Sequence, residues 1–269
     1  MNLIRSVFLV LVLSTKIMAQ NHSTWNMNKV IAHRGAWKAK NLPQNSIASL
    51  QEAIRLNCYG SEFDVQLTSD SIPVVNHDPD FMGLPIATST YQQLRAKQLS
   101  NGEYIPTLES YIKAALSQQS TKLILEIKPQ KSNDLEVLLT QKILQTVHKL
   151  KARDWIEYIS FSYHICQYLV THEKGAKVSY LEANIDPEQL KKNGLSGFDY
   201  HYTILNKNNW IEKATEIGLS TNAWTVNDAK EMDKLIERNI GYITTNEPEL
   251  LFERLKHKKG DDFIHRPFW

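Results

Sequence analysis

The chain has 269 residues, of which 42% are hydrophobic and 22% are charged, and this is the composition of a folded globular protein rather than a disordered one. The formal net charge is +2 at pH 7, but two basic residues, Arg5 and Lys16, lie in the first 19 residues, so the remainder is neutral. A neutral chain with dispersed charges has no basic patch of the kind that binds nucleic acid, and no nucleic-acid partner is expected.

The first residues form a candidate leader peptide. Arg5 precedes an apolar run from Ser6 to Ser14, and Ala19 offers a small residue before a cleavage point. The apolar run is too short to stay in a bilayer as a spanning helix. The sequence therefore predicts a signal peptide over residues 1–19, a mature chain over residues 20–269, export to the periplasm or the medium, and no stable membrane anchor.

Short apolar segments rich in β-branched residues alternate with segments of helical periodicity along the rest of the chain. In chain order, the predicted strands are Lys29–His33, Gly60–Gln66, Lys122–Ile127, Tyr158–Phe161, Lys177–Leu181, Gly197–Tyr200, Ser220–Val226 and Gly241–Thr244. One helical pattern follows Pro43, and another begins at Asp186 with Pro187 at its first helical position. A further helix is expected to follow Asn227, whose side chain is a good N-cap.

Alternation of helices with nearly continuous apolar strands is typical of a parallel sheet. Eight such units in about 250 residues predict a single-domain (β/α)8 TIM barrel. A doubly wound open sheet is the alternative, but the sequence has no glycine-rich phosphate loop of the type Gly-x-Gly-x-x-Gly. Cys58 and Cys166 lie in apolar segments and are expected to be buried free thiols, with a disulfide as the alternative.

Polar and aromatic residues collect where the predicted strands end. In a barrel of parallel strands, the carboxyl ends of all strands meet at one face, and that face holds the active site. The residues that the sequence places there are His33, Arg34, Glu62, Asp64, His77, Glu126, Lys128 and Trp224. Two strands therefore run into histidines, although packing at the edge of the core is the simpler explanation for either histidine alone.

The carboxylates among these residues predict a metal site. Glu62 and Asp64 are two positions apart on one strand, so both point to the same side of it. Glu126, between apolar neighbours, also points inward, and three converging carboxylates repel one another unless a positive charge lies between them. A hard divalent cation, Mg²⁺ or Ca²⁺, suits an all-oxygen site. The alternative is that Glu62 and Glu126 form ion pairs with Arg34 and Lys128.

Six segments, taken together and in this order, resemble the glycerophosphodiester phosphodiesterase family. They are AHRG at Ala32–Gly35, SEFDVQLTSD at Ser61–Asp70, VVNHD at Val74–Asp78, IPTLE at Ile105–Glu109, LEIKP at Leu125–Pro129 and AWTVND at Ala223–Asp228. The resemblance spans nearly the whole mature chain. It implies a TIM barrel that hydrolyses glycerophosphodiesters to glycerol 3-phosphate and an alcohol.

The resemblance also implies roles for individual residues. By position, His33 and His77 match the catalytic histidine pair, Glu62, Asp64 and Glu126 match the ligands of one divalent cation, Arg34 and Lys128 match groups that face the phosphate, and Trp224 matches an aromatic residue beside the glycerol moiety. Two positions depart from the family pattern. Gln44 stands where a glutamate is usual, and Asn246 stands where an aspartate is common after the last strand.

Other interpretations stay open at this point. The same barrel could serve a lysophospholipase D or a phosphoinositide-cleaving phospholipase, and a non-catalytic barrel that binds phosphate esters is a second alternative. His164 and His201, near strand ends, are candidates for the rim of the site. The aromatic tail Phe263–Trp269 either packs on the barrel or joins a partner subunit, so a homo-oligomer is also an open alternative.

Overall fold

The computed structural model describes residues 25–264, with side chains as far as residue 257. The predicted leader over residues 1–19 and the aromatic side chains of the tail lie outside the described residues. None of the helices within the described range is long and apolar enough to cross a membrane.

The described residues form eleven strands, eight of which build the barrel. The strands are β1 (Val30–Ala32), β2 (Gly60–Leu67), β3 (Pro73–Val75), β4 (Asp80–Phe81), β5 (Leu84–Pro85), β6 (Lys122–Ile127), β7 (Ile156–Ser160), β8 (Val178–Tyr180), β9 (Gly197–His201), β10 (Ser220–Trp224) and β11 (Tyr242–Thr245). The barrel order is β1-β2-β6-β7-β8-β9-β10-β11, every pair is parallel, and β11 returns to β1. The predicted closed barrel is confirmed, and the open sheet is excluded.

Helices connect the barrel strands. They are α1 (Ile47–Arg55), α2 (Tyr91–Leu94), α3 (Leu108–Ala115), α4 (Asn133–Lys149), α5 (Tyr163–His172), α6 (Pro187–Lys192), α7 (Tyr202–Leu205), α8 (Trp210–Glu216), α9 (Ala229–Glu237) and α10 (Pro248–Ile264), with 3₁₀ turns at Ile86–Thr88 and Arg153–Trp155. Asp186 caps α6 and Pro187 opens it, as the sequence predicted.

The N-cap predicted for α9 was wrong by one residue. Asp228, not Asn227, caps this helix, because its Oδ1 accepts hydrogen bonds from the backbone N–H groups of Lys230 and Glu231. The side chain of Asn227 faces the end of β11 instead, where its Oδ1 accepts a hydrogen bond of 2.8 Å from the backbone N–H of Asn246. Asn227 therefore fixes the loop that follows the last strand.

The connection between β2 and β6 carries the small strands β3, β4 and β5. Strand β3 pairs antiparallel with β2, and β4 and β5 form a separate hairpin. A small apolar cluster stabilises this connecting segment; it consists of Val74, Phe81, Ile86, Leu94 and Ile105. The segment matters for function because His77 follows β3, and the cluster packs on both sides of His77 in the sequence.

Apolar side chains pack on both surfaces of the barrel wall. The larger core lies between the strands and the surrounding helices and contains both cysteines, which are free and buried as predicted. A smaller cluster fills the barrel interior and consists of Ile31, Tyr59, Ile124, Ile159 and Leu181. Because these residues alternate along their strands with the outward-facing core, the interior is packed rather than open.

The outer core predicts a large effect of one substitution on stability. Phe63 is fully buried, and its ring stacks on Tyr111 with a centroid distance of 4.4 Å. Phe63→Ala leaves a cavity there and is expected to lower the free energy of unfolding by about 3–5 kcal/mol. Met27, which is 87% exposed, supplies the control, and Met27→Ala is expected to change it by less than about 0.5 kcal/mol. Denaturant unfolding measures both, and equal effects would contradict the packing described here.

Candidate active site

A cavity of about 210 Å³ opens at the carboxyl ends of the barrel strands. One side of it is lined by His33, Arg34, Glu62, His77 and Glu126, and the other side is lined mainly by Ile159, Phe161, Leu181 and Trp224. A larger cleft of about 390 Å³ lies at the opposite end, beside Lys122 and Lys177. In this fold the carboxyl-end face is the catalytic one, so the smaller cavity is the candidate site.

Three carboxylates meet at the base of this cavity. Strand β2 turns Glu62 and Asp64 inward, and the parallel register places Asp64 opposite Glu126 on β6. One oxygen from each of the three residues lies within 4.8 Å of the others. Their exposed fractions are 2% for Glu62, 1% for Asp64 and 7% for Glu126. The predicted convergence of the three carboxylates is therefore present in the fold.

The three carboxyl groups do not ionise alike. Burial raises the pKa of Glu62 well above its usual range, and the charge of Asp64 raises it further. Burial, followed by the charge of Asp64, raises the pKa of Glu126 to about 7. Burial also acts to raise the pKa of Asp64, but the positive charge of Lys128 and other favourable contacts outweigh it, so this pKa is lowered. The positively charged side chains of the protein therefore neutralise Asp64 more fully than they neutralise Glu62 or Glu126.

Lys128 and Arg34 form only some of the ion pairs that the sequence suggested as the alternative to a metal site. Lys128 Nζ lies 3.1 Å from Asp64 Oδ1 and 2.9 Å from Glu126 Oε1, at an angle that leaves this glutamate oxygen without a hydrogen bond. Arg34 Nε lies 3.7 Å from Asp64 Oδ2. Among the described side chains, neither cation lies within ion-pair distance of Glu62. An all-oxygen donor set with a buried, unbonded oxygen fits a hard divalent cation.

The turn after β1 explains why the sequence reads His-Arg-Gly. Arg34 and Gly35 both have positive φ angles, of 56° and 80°. This turn directs the backbone N–H of Arg34 to Glu62 Oε2, at 2.8 Å. A Cβ atom at residue 35 would lie 2.4 Å from Ser49 Oγ and 2.6 Å from the backbone carbon of Ser49, so only glycine fits against helix α1.

His33 is held by Asn246. Its Nδ1 lies 2.8 Å from Asn246 Oδ1, and its Nε2 lies 3.9 Å from Glu62 Oε2. Burial lowers the pKa of His33 to about 4, and the charge of Arg34 adds to the effect, so the ring is neutral at pH 7. Because an amide oxygen only accepts hydrogen bonds, Nδ1 carries the ring proton and Nε2 keeps a free lone pair.

His77 is held by the loop that carries it. Its Nδ1 lies 2.7 Å from Asp78 Oδ1, so the carboxylate orients the ring. Gln66 Nε2, at the end of β2, lies within hydrogen-bond distance of three backbone carbonyl oxygens, those of Asn76 at 2.9 Å, His77 at 3.0 Å and Asp78 at 2.5 Å, and its two N–H bonds donate to this group. The glutamine therefore ties the histidine segment to the same strand that carries Glu62.

Sequence reasoning missed several side chains that support the site. Asn45 Nδ2 donates a hydrogen bond of 2.9 Å to Asp64 Oδ2, and Asn45 Oδ1 accepts one of 3.2 Å from the Asp64 N–H. Gln44 Oε1 accepts a hydrogen bond of 2.7 Å from Arg34 Nη1. The departures at Gln44 and Asn246 were visible in the sequence, but the contact of Asn246 with His33 forms only when the barrel closes.

Aromatic side chains form the far wall of the cavity. The rings of Phe161 and Trp224 meet edge to face at 5.4 Å, and Trp224 meets His201 in the same way at 4.9 Å. His201 thus lies beside the site, whereas His164 pairs with Glu136 at 3.0 Å on the outer helices. Trp224 Nε1 donates a hydrogen bond of 2.9 Å to the backbone carbonyl of a residue that sequence reasoning did not select, Asp199.

The chain resembles known proteins over most of its length. A glycerophosphodiester phosphodiesterase of Caldanaerobacter subterraneus subsp. tengcongensis is 24% identical over 243 residues, which cover 84% of this chain and 97% of that one. The crystal structure of a glycerophosphodiester phosphodiesterase from Parabacteroides distasonis matches with a TM-score of 0.84 at 38% identity, covering 87% of this chain and 99% of that one. A phosphodiesterase of Oleispira antarctica, solved with the product sn-glycerol-3-phosphate, shares the fold with a TM-score of 0.73 at 24% identity, covering 86% of this chain and 97% of that one.

A family model extends the likeness to the site. The model of the glycerophosphoryl diester phosphodiesterase family matches residues 33–250. This range begins at His33 and contains every other residue that lines the cavity. The chain therefore belongs to the glycerophosphoryl diester phosphodiesterase family.

Proposed function

We propose that this chain hydrolyses glycerophosphodiesters to glycerol 3-phosphate and an alcohol, with one divalent cation and two catalytic histidines. The observation that carries the proposal is the shared cavity, in which His33 and His77 lie beside the buried carboxylates of Glu62 and Glu126. Family membership supports the reaction class. The geometry supports the assignment of the individual residues.

Glu62, Asp64 and Glu126 would hold the cation, which is Mg²⁺ or Ca²⁺. When bound, the cation neutralises charge on the phosphoryl oxygens and lowers the cost of nucleophilic attack. Arg34 and Lys128 add positive charge at the same place, because both lie within ion-pair distance of Asp64. The substrate's single negative charge is thereby drawn to the base of the cavity, between the two histidines.

The two histidines would divide the proton transfers. His33 is neutral with its Nε2 lone pair free, so it accepts the proton of the attacking hydroxyl. His77 then donates a proton to the oxygen of the leaving alcohol, with the carboxylate of Asp78 behind its ring. The attacking hydroxyl belongs either to water or to the glycerol moiety itself, through a cyclic phosphate.

The substrate that the protein hydrolyses distinguishes the proposed function from its alternatives. A cavity of about 210 Å³ suits a small polar diester better than a lysolipid or a phosphoinositide. A non-catalytic barrel would not need both histidines beside the carboxylate cluster. Assays of the purified protein against glycerophosphodiesters, lysophospholipids and phosphoinositides decide among the three, and turnover of lysophospholipids alone would replace the proposed substrate class.

Export remains a proposal that rests on Arg5, the apolar run Ser6–Ser14 and Ala19. The expected mature protein begins near Gln20 and is found outside the cytoplasm. N-terminal sequencing of protein recovered from cell fractions measures both properties. An intact N-terminus on protein from the cytoplasmic fraction would contradict the signal peptide.

Removal of divalent cations is expected to abolish hydrolysis, and added Mg²⁺ or Ca²⁺ is expected to restore it. Glu62→Gln removes one carboxylate ligand and should weaken cation binding, measured by calorimetry. Glu253→Gln is the matched control, because Glu253 is exposed on α10 and does not line the cavity. Full turnover in excess chelator would show that the reaction needs no cation.

His33→Asn and His77→Asn are each expected to lower kcat by at least about a hundredfold while the protein stays folded, because asparagine cannot transfer a proton at neutral pH. The matched control is His257→Asn, at an exposed position on α10. Steady-state kinetics with a thermal unfolding curve for each variant test this. A folded variant that keeps near-native kcat would remove that histidine from the reaction.

A further inference from the structure

Asp199 is a buried carboxyl group that the proposed reaction does not use. It lies on β9, is 1% exposed, and lines the cavity on the side of Leu181 and Trp224. It is not one of the three carboxylates that converge on the candidate cation site. Its Oδ1 atom is buried without a hydrogen-bond partner among the described residues.

One polar side chain of the barrel wall interacts with the Asp199 carboxyl group. The neighbouring inward side chain on β10 is Asn222, which lies opposite Asp199 in the register. Asn222 Nδ2 donates a hydrogen bond of 2.8 Å to Thr244 Oγ1, and Asn222 Oδ1 is itself buried without a partner. The Oδ1 atoms of Asp199 and Asn222 therefore both keep hydrogen-bonding capacity that no well-formed hydrogen bond uses, although the two side chains interact.

Unused capacity of this kind is costly in a folded protein. A buried polar group without a hydrogen bond costs about 1–3 kcal/mol, so nearly all such groups have partners. A carboxyl oxygen accepts a hydrogen bond from a hydroxyl group, so a hydroxyl group of a bound molecule would complement this position.

The position of Trp224 indicates which part of a substrate would supply that hydroxyl group. The indole N–H of Trp224 is bonded to the Asp199 backbone carbonyl, so the ring and the Asp199 carboxyl group belong to one rigid corner. The phosphate is expected on the opposite side, beside Arg34, and a group in this corner would be the small hydroxylated part of the same molecule.

We propose that Asp199 is a specificity-determining residue that hydrogen-bonds a hydroxyl group of the substrate's glycerol moiety. The proposal rests on the proposed function and adds to it a residue that selects hydroxylated esters. It predicts that a phosphate ester lacking the right hydroxyl group leaves the Asp199 carboxyl group unpaired and binds weakly, because sites built to bond a hydroxyl reject analogues without it.

The test measures binding of three phosphate monoesters by calorimetry, in the presence of Mg²⁺ or Ca²⁺. They are glycerol 3-phosphate, 3-hydroxypropyl phosphate and 2-hydroxypropyl phosphate, so each analogue lacks one hydroxyl group. Binding of monoesters involves no chemical step, so the result does not depend on whether the protein turns over any diester. The variants are Asp199→Leu, which removes all hydrogen bonding with a side chain of similar branched shape, and Asp199→Asn, which keeps it.

The native protein is expected to bind glycerol 3-phosphate about tenfold or more tightly than at least one of the two analogues. Asp199→Leu should reduce that preference to about threefold or less, and Asp199→Asn should retain most of it. Asp134→Asn, at an exposed position in α4, is the control and should bind like the native protein. Thermal unfolding and cation titration of each variant confirm that fold and metal binding are unchanged.

Three results would overturn the proposal. The first is a native protein that binds none of the monoesters or binds all three equally. The second is an undiminished preference in folded Asp199→Leu. The third is a loss of cation affinity in both Asp199 variants, which would mean that the residue acts through the cation site. If the native protein shows the preference yet hydrolyses no diester, the proposed reaction fails and the hydroxyl-binding role stands.

Discussion

The repulsion among three buried carboxylates is the constraint on which the rest of the site depends. Glu62, Asp64 and Glu126 bring oxygens within 4.8 Å of one another at the base of a cavity with little water around them. Negative charges that are this close together and this deeply buried are unfavourable unless a positive charge lies between them or protonation neutralises them. Lys128 reaches Asp64 and Glu126, whereas Glu62 has no ion pair with Lys128 or Arg34, and the proposed cation would meet this shortfall.

Neutral side chains hold the charged ones in place. The side-chain amide of Asn45 hydrogen-bonds to Asp64, and that of Asn246 hydrogen-bonds to His33 and fixes its tautomer. The side-chain amide of Gln66 hydrogen-bonds to the loop that carries His77. Gln44 does the same for Arg34. Neutral residues suit this task because each orients a reactive group without adding a further charge to a crowded cavity. The two departures from the family pattern, at Gln44 and Asn246, fit this arrangement.

Much of the fold and the membership of the site could be predicted from the sequence, because both follow from local patterns. Apolar strands that end in polar residues place those residues at one end of a parallel barrel. Because Glu62 and Asp64 are two positions apart on one strand, their side chains point to the same side. Contacts between distant segments could not be predicted. The bond between His33 and Asn246 spans the junction of the first and last strands, and the N-cap at Asp228 was missed because Asn227 is an equally good candidate by composition. Asp199 resembled an ordinary strand residue until the barrel closed around it.

The central claim is that a divalent cation joins the three carboxylates. A crystal structure of the protein grown with Mn²⁺, phased with anomalous differences, tests it most directly. The expected result is one anomalous peak bonded to oxygens of Glu62, Asp64 and Glu126, with the Lys128 ammonium moved away from the shared position. A map without that peak, in which Lys128 still bridges Asp64 and Glu126, would contradict the claim and would leave the carboxylates as a protein-neutralised cluster.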